Sequence, residues 1–150
     1  MFSEEVIDEL HSIETECFKE KSFSRKILQK IINNPDYNIE IHKDNDIITG
    51  FIIFGVTYDP RIIGMANTPL MYIFMITIRE AYRRTDIGKN FMEIVMAKSR
   101  SLNISNIYLH VWTENTDAIS FYEKVGFEQV KFLDNYYRGN GDAYLMKLTV

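Results

Sequence analysis

Residues 70–101, LMYIFMITIREAYRRTDIGKNFMEIVMAKSRS, decide how this chain must fold. Met71 to Ile78 is apolar, β-branched and aromatic, which predicts a buried strand. Ile87 to Ser101 predicts a long helix, with Phe91, Ile94, Val95 and Lys98 along its inner stripe. Between them lies Tyr82-Arg83-Arg84-Thr85-Asp86-Ile87-Gly88-Lys89, a turn that runs from a strand end into a helix N-terminus. Amides of a first helical turn lack intrahelical partners, and the helix dipole adds positive potential there. With Arg83, Arg84 and Lys89 beside them, these amides suit an anion such as a phosphate. On spacing alone, a basic helix start is also read as a solvated face.

Outward from this stretch the chain alternates helices and strands. Val6, Ile7, Leu10 and Ile13 follow helical spacing, which predicts a first helix from Ser3 to Phe18. Ser24 is placed to cap a second helix with Ile27, Leu28, Ile31 and Ile32 as its stripe, and Asn33-Asn34-Pro35 ends it. Tyr37 to His42 and Ile47 to Thr57, joined by Lys43-Asp44-Asn45-Asp46, read as a hairpin. A loop from Tyr58 to Thr68 leads into the strand above. Asn106 to Trp112 is a strand and Thr116 to Val125 a helix stopped at Gly126. Phe127 to Leu133 and Tyr144 to Leu148 read as two closing strands. This order predicts an α/β fold with a mixed, mostly antiparallel central sheet and helices on both faces, in a single domain over 1–150.

Alternation along Asn106 to Trp112 puts Ile107, Leu109 and Val111 on one face and Tyr108, His110 and Trp112 on the other. An imidazole titrates at ~6.5 and can take a proton from an amine, although a histidine between aromatics is also a common structural residue. Asn115 suits a helix N-cap, and Tyr122 lies two turns along the same face. A phenol of pKa ~10 is a candidate proton donor, and equally an ordinary core aromatic. Cys17, beside Phe18 in an apolar stretch, reads as a buried structural thiol rather than a nucleophile.

Bulk properties narrow the classes. A chain of 150 residues with 46% hydrophobic and 25% charged content buries a core and is not disordered. The net charge of −4 gives nucleic-acid binding no support. One cysteine makes no internal disulfide, so a reducing, cytoplasmic setting is expected. The N-terminus lacks a basic flank and apolar run, and no stretch reaches the ~18 apolar residues of a membrane span. No histidine, cysteine and carboxylate set has metal-ligand spacing, so no metal is expected.

Two motifs in combination carry a resemblance. Arg83, Asp86 and Gly88 occupy the Arg/Gln, Gly and Gly/Ala positions of the pyrophosphate signature of the GNAT acetyltransferases, with Asp86 departing from the usual glycine. Asn-x-x-Ala-x-x-x-Tyr at Asn115, Ala118 and Tyr122, followed by Gly126-Phe127, is similar to a second hallmark of the same superfamily. NIYLHV (106–111), AISFYEKVGFE (118–128), and NYY (135–137) before DAYLMKL (142–148) resemble protein N-terminal acetyltransferases in particular, over about half the chain.

The resemblance implies the GNAT fold with one strand fewer, acetyl-coenzyme A as acetyl donor and a protein or peptide N-terminus as acceptor. It implies cofactor contacts from Ile76, Thr77, Ile78, Arg83, Arg84, Thr85, Asp86, Ile87, Gly88, Lys89, Asn115 and Tyr122. Tyr72 and His110 together would act as base, and Tyr122 as acid beside the thioester sulfur. Tyr136 and Tyr137 in a hairpin loop, with Tyr72 and Phe23, would form the acceptor site. A lysine or small polyamine acetyltransferase, and a non-catalytic coenzyme A-binding module, are the competing readings.

Overall fold

A computed structural model of the chain describes residues 2–58 and 68–150. The loop expected between Tyr58 and Thr68 lies, over 59–67, outside the described residues. The chain divides into two compact units, Met1–Gly55 with Met75–Phe91, and Val56–Phe74 with Met92–Val150.

The first unit begins with helices α1 (Glu4–Phe18) and α2 (Arg25–Ile32). The Ser3 hydroxyl accepts the Val6 N–H and the Ser24 hydroxyl accepts the Ile27 N–H, each at 3.3 Å, so both helices start on a serine cap. A short 3-10 turn, Lys19–Lys21, follows α1. Strands β1 (Asn38–Asp44) and β2 (Ile47–Thr57) pair as the expected antiparallel hairpin, with Asn45 in the left-handed region at φ 56°. Leu10, Ile13, Leu28, Ile32, Phe51, Ile53 and Met75 are buried together, whereas Ile27, expected in the stripe of α2, is 49% exposed. Each of the buried side chains contributes about 1.5–3 kcal/mol on burial. Gly50 allows β2 to run against the end of β3 (Leu70–Ile78): a Cβ there would sit 2.6 Å from the Thr77 carbonyl oxygen.

The second unit is built on β4 (Asn106–Trp112), which lies parallel to β3 at Met71↔Ile107 and Tyr72↔Tyr108. On its other edge β4 pairs antiparallel with β6 (Ala143–Thr149), from Asn106↔Thr149 to Trp112↔Ala143. Strand β5 (Glu128–Leu133) pairs with β6 as the outer strand. Helix α4 (Thr116–Val125) is capped by Asn115, whose side chain accepts the Ala118 N–H at 3.3 Å, and ends at Gly126 with φ 122°. The six described strands take the order β1-β2-β3-β4-β6-β5, mostly antiparallel with one parallel pair. The first described element is α1.

Helix α3 (Ile87–Ser101) has the expected limits but turns its stripe differently. Phe91, Met92, Val95 and Ser99 are buried, whereas Ile94 is 37% exposed and Lys98 is exposed. At 100° per residue, the buried arc runs from Phe91 toward Met92, so Ile94 and Lys98 fall on the solvent side of Phe91.

Candidate active site

The second unit gathers four of the residues singled out from sequence. Tyr72 stands on β3 in register with Tyr108, and His110 lies two positions farther along β4 on the same face. The Tyr72 hydroxyl is 2.5 Å from His110 Nδ1, their rings tilted at 57°. Tyr136 lies flat on the imidazole, with ring centroids 4.4 Å apart and planes 15° apart. Its hydroxyl is 3.3 Å from the same Nδ1. In a stack that contact comes from above the ring, so the in-plane position at Nδ1 belongs to Tyr72. Tyr137 meets Tyr136 edge-on at 5.1 Å.

Burial sets the charge states. Desolvation lowers the His110 pKa to about 4, so the imidazole is neutral at physiological pH. Burial, and then the neighbouring Tyr136, push the Tyr137 phenol up to about 12. Tyr122 is buried beside Phe127, and desolvation followed by Tyr137 raises its pKa well above the ordinary phenol value. The unit therefore offers a neutral acceptor and protonated phenols.

The loop between β5 and β6 is held by its own hydrogen bonds. Asp142 accepts the Asn135 N–H at 2.7 Å through its side chain and the Thr113 N–H at 3.0 Å through its carbonyl. The Asn135 side chain accepts the Gly139 N–H at 2.5 Å, and the Tyr137 N–H donates to the Gly141 carbonyl at 3.1 Å. Gly141, at φ 129°, lies under Trp112, where a Cβ would come within 2.3 Å of the indole nitrogen. Sequence reasoning missed Asn135, Asp142 and the Trp112–Gly141 contact. The glycine-rich composition of the loop was their one local signal.

The first unit holds the basic turn. After a 3-10 turn at Glu80–Tyr82, Arg83 folds back: its Nε donates to the Ile78 carbonyl at 3.0 Å and its Nη2 to Cys17 Sγ at 3.3 Å. The Cys17 thiol itself donates to the Ile78 carbonyl at 3.3 Å. Burial raises the Cys17 pKa, so Cys17 is a thiol braced in the turn's base. Arg84 takes φ 62°, and the Thr85 hydroxyl donates to the Tyr82 carbonyl at 2.6 Å. The Asp86 carbonyl accepts the Asn90 N–H at 2.9 Å, which puts Asp86 at the cap position of α3. Arg84, Asp86 and Lys89 are exposed while Ile87 and Gly88 are buried. On β3, Thr77 is buried with its hydroxyl on the Phe51 carbonyl, and Ile76 and Ile78 are half-buried.

Phe23, also in this unit, is 40% exposed. Among the described residues no group of three or more His, Cys, Asp or Glu is placed to hold a metal ion. No described helix is long and apolar enough to cross a membrane.

The sequence profile of the acetyltransferase (GNAT) family matches residues 4–127. The chain belongs to this family. It is 31% identical over 127 residues to N-alpha-acetyltransferase 50 of Danio rerio, covering 75% of this chain and 72% of that protein. An N-alpha-acetyltransferase of Sulfurisphaera tokodaii is 38% identical over 76 residues, 50% of this chain and 46% of the relative. The GNAT chain thus spans about half the length of such archaeal relatives. Among solved structures, Arabidopsis thaliana Naa50 in complex with the bisubstrate analogue CoA-Ac-MVNAL has 26% identity and a TM-score of 0.78, covering 99% of this chain and 95% of that one.

Proposed function

We propose that this GNAT protein transfers the acetyl group of acetyl-coenzyme A to the α-amino group of a peptide or protein N-terminus in the cytoplasm, with residues 1–150 as one acetyltransferase domain. The observation that carries the reading is the Tyr72 hydroxyl on Nδ1 of a neutral His110, roofed by Tyr136. The names of the relatives, and the peptide part of the analogue held by Naa50, support the acceptor class.

The donor set fits a coenzyme A pyrophosphate. The first turn of α3 has amides without intrahelical partners, and Arg84 and Lys89 are exposed at that turn. The exposed carboxylate of Asp86 is screened by water, which keeps its repulsion small. Thr85, Ile87 and Gly88 complete the turn, with Ile76, Thr77, Ile78, Arg83 and Asn115 as the remaining contacts. Arg83 would act by bracing the turn from below, through Ile78 and Cys17. When bound, acetyl-coenzyme A supplies an activated acyl thioester.

An imidazole of pKa about 4 is too weak to strip an α-ammonium of pKa ~7.7–8.0; that transfer is uphill by about 5 kcal/mol. The amine therefore attacks in its neutral form. As the C–N bond forms, its nitrogen becomes strongly acidic, and Tyr72 with His110 takes the proton. Tyr122, held protonated by burial, would stand as the hydrogen-bond donor and proton source for the leaving thiolate. Tyr136 and Tyr137 offer hydroxyls to the acceptor backbone.

The test is release of free thiol from acetyl-coenzyme A in the presence of peptides that differ in their first two residues. Acetylation of the peptide α-amine is expected. Transfer confined to free polyamines or lysine side chains refutes the acceptor, and no binding of acetyl-coenzyme A at micromolar concentration refutes the whole reading.

A further inference from the structure

Tyr136 covers His110 from a loop, residues 134–142, that joins β5 to β6. Its ring is 43% exposed, so core packing does not set its place over the imidazole. The loop backbone has to set it, and that backbone is strained. Asn135 and Arg138 lie in the left-handed region at φ 53° and 48°, and Gly139 and Gly141 also have positive φ. Left-handed backbone is disfavoured for residues with a Cβ and persists where the surroundings impose it. Two side chains impose it here. Asp142 Oδ1 accepts the Asn135 N–H at 2.7 Å, which ties the two ends of the loop together. Asn135 Oδ1 in turn accepts the Gly139 N–H at 2.5 Å, which ties the far turn to the residue just before Tyr136. The closed loop then rests on β4 and its end at three points. The Asp142 carbonyl accepts the Thr113 N–H at 3.0 Å, Gly141 lies against the Trp112 indole, and Tyr136 lies on His110. Trp112 and His110 share one face of their strand, so the seating of the loop decides what covers the imidazole.

We infer that Asn135 and Asp142 are positioning residues, a paired brace that holds Tyr136 over His110 and presents its hydroxyl to the acceptor peptide. This inference rests on the peptide-acetylating reading above. A loop set before the peptide arrives lowers the ordering cost of binding, so loss of the brace raises the KM for peptide. The brace also keeps His110 out of water. Around that ring, β3 contributes the Tyr72 phenol, the loop the Tyr136 phenol, and β6 sets Leu145 opposite it in register. With the Tyr136 ring swung away, solvent reaches the imidazole and its pKa rises from about 4 toward the ordinary ~6.5.

The test uses the whole protein and reads two quantities, the titration of the His110 imidazole by NMR and steady-state kinetics with peptide and acetyl-coenzyme A. Asp142→Ala is expected to raise the His110 pKa by about one unit or more and the KM for peptide about tenfold, with the KM for acetyl-coenzyme A within about twofold. The sign is diagnostic. Deleting a carboxylate near a histidine lowers its pKa by charge alone, so a rise reports exposure of the ring. Asp142→Asn keeps an oxygen for the Asn135 N–H and is expected to bring both readouts to within about threefold of wild type. Should Asp142→Ala fail to fold, Asn135→Gly removes the other half of the brace while tolerating the positive φ, and is expected to move both readouts in the same directions. An imidazole that titrates as in the wild type when the brace is cut, or an unchanged KM for peptide, overturns the inference. Absence of transfer from the wild type to any peptide overturns the acetylation reading, while the His110 titration still decides whether the brace holds the ring.

Discussion

Lowering the pH distinguishes a buried, uncharged His110 from an ordinary one. With its pKa at about 4, His110 stays neutral from about pH 7.5 to about pH 5.5, the range over which an α-amine becomes almost fully protonated. The acid limb of kcat/KM for peptide, at saturating acetyl-coenzyme A, then reports only the amine. For an amine of pKa ~7.8 the neutral fraction falls about 70-fold between about pH 7.5 and about pH 5.5. If His110 titrated at ~6.5 and had to be neutral, it would add about another tenfold, for about 700-fold in all. The expected profile is a line of slope one with a fall near 70-fold. A slope of two, breaking near pH 6.5, refutes the argument that burial silences the imidazole.

Stability needs a control over the same range. The unfolded chain binds a proton at His110 near pH 6.5 and the folded one only near 4, so the unfolded state holds more protons between these values. Stability from this group is therefore present above ~6.5 and is lost as pH falls toward 4. Near-UV circular dichroism at each pH separates unfolding from titration. His110→Gln is expected to keep the limb at slope one while kcat drops about 10²-fold or more.

Three further outcomes are expected. Tyr136→Phe retains the ring over His110 and should lower kcat/KM for peptide by under about tenfold, as loss of one hydrogen bond does; Tyr136→Leu removes the stack and should also move the acid limb, which a pH profile reads. Tyr122→Phe deletes a buried phenol without altering the fold, so thiol release should slow about 10²-fold or more with the peptide KM unchanged, and an unaltered rate refutes its role as acid. Gly50→Ala drives a methyl to 2.6 Å from the Thr77 carbonyl and 3.1 Å from Ile78 Cα, both backbone; about 3 kcal/mol of stability should go, a drop in Tm of roughly 6–12 °C by calorimetry, and a shift under about 1 °C would show that β2 and β3 separate freely.

Much of the fold was legible in the chain itself, because its signals are local. Ser3, Ser24 and Asn115 sit three residues before the N–H they cap, and Gly126 ends α4 through bonds to Tyr122 and Glu123. Such bonds span a single turn, so periodicity and capping gave the limits of α3, β4 and α4. The paired motifs around Arg83 and Asn115 likewise pointed to the GNAT family before any geometry was known. What sequence left open depends on partners brought from afar. Tyr136 reaches His110 across 26 residues and Arg83 reaches Cys17 across 66. The direction of the α3 stripe, with Ile94 outward, was settled by which side the core filled. The low pKa of His110 arises from desolvation, a property of the packed environment and not of the residue. Glu14, one carboxylate among many in an acidic helix, was taken out of water by tertiary packing and brought onto the Phe23 N–H, nine residues along.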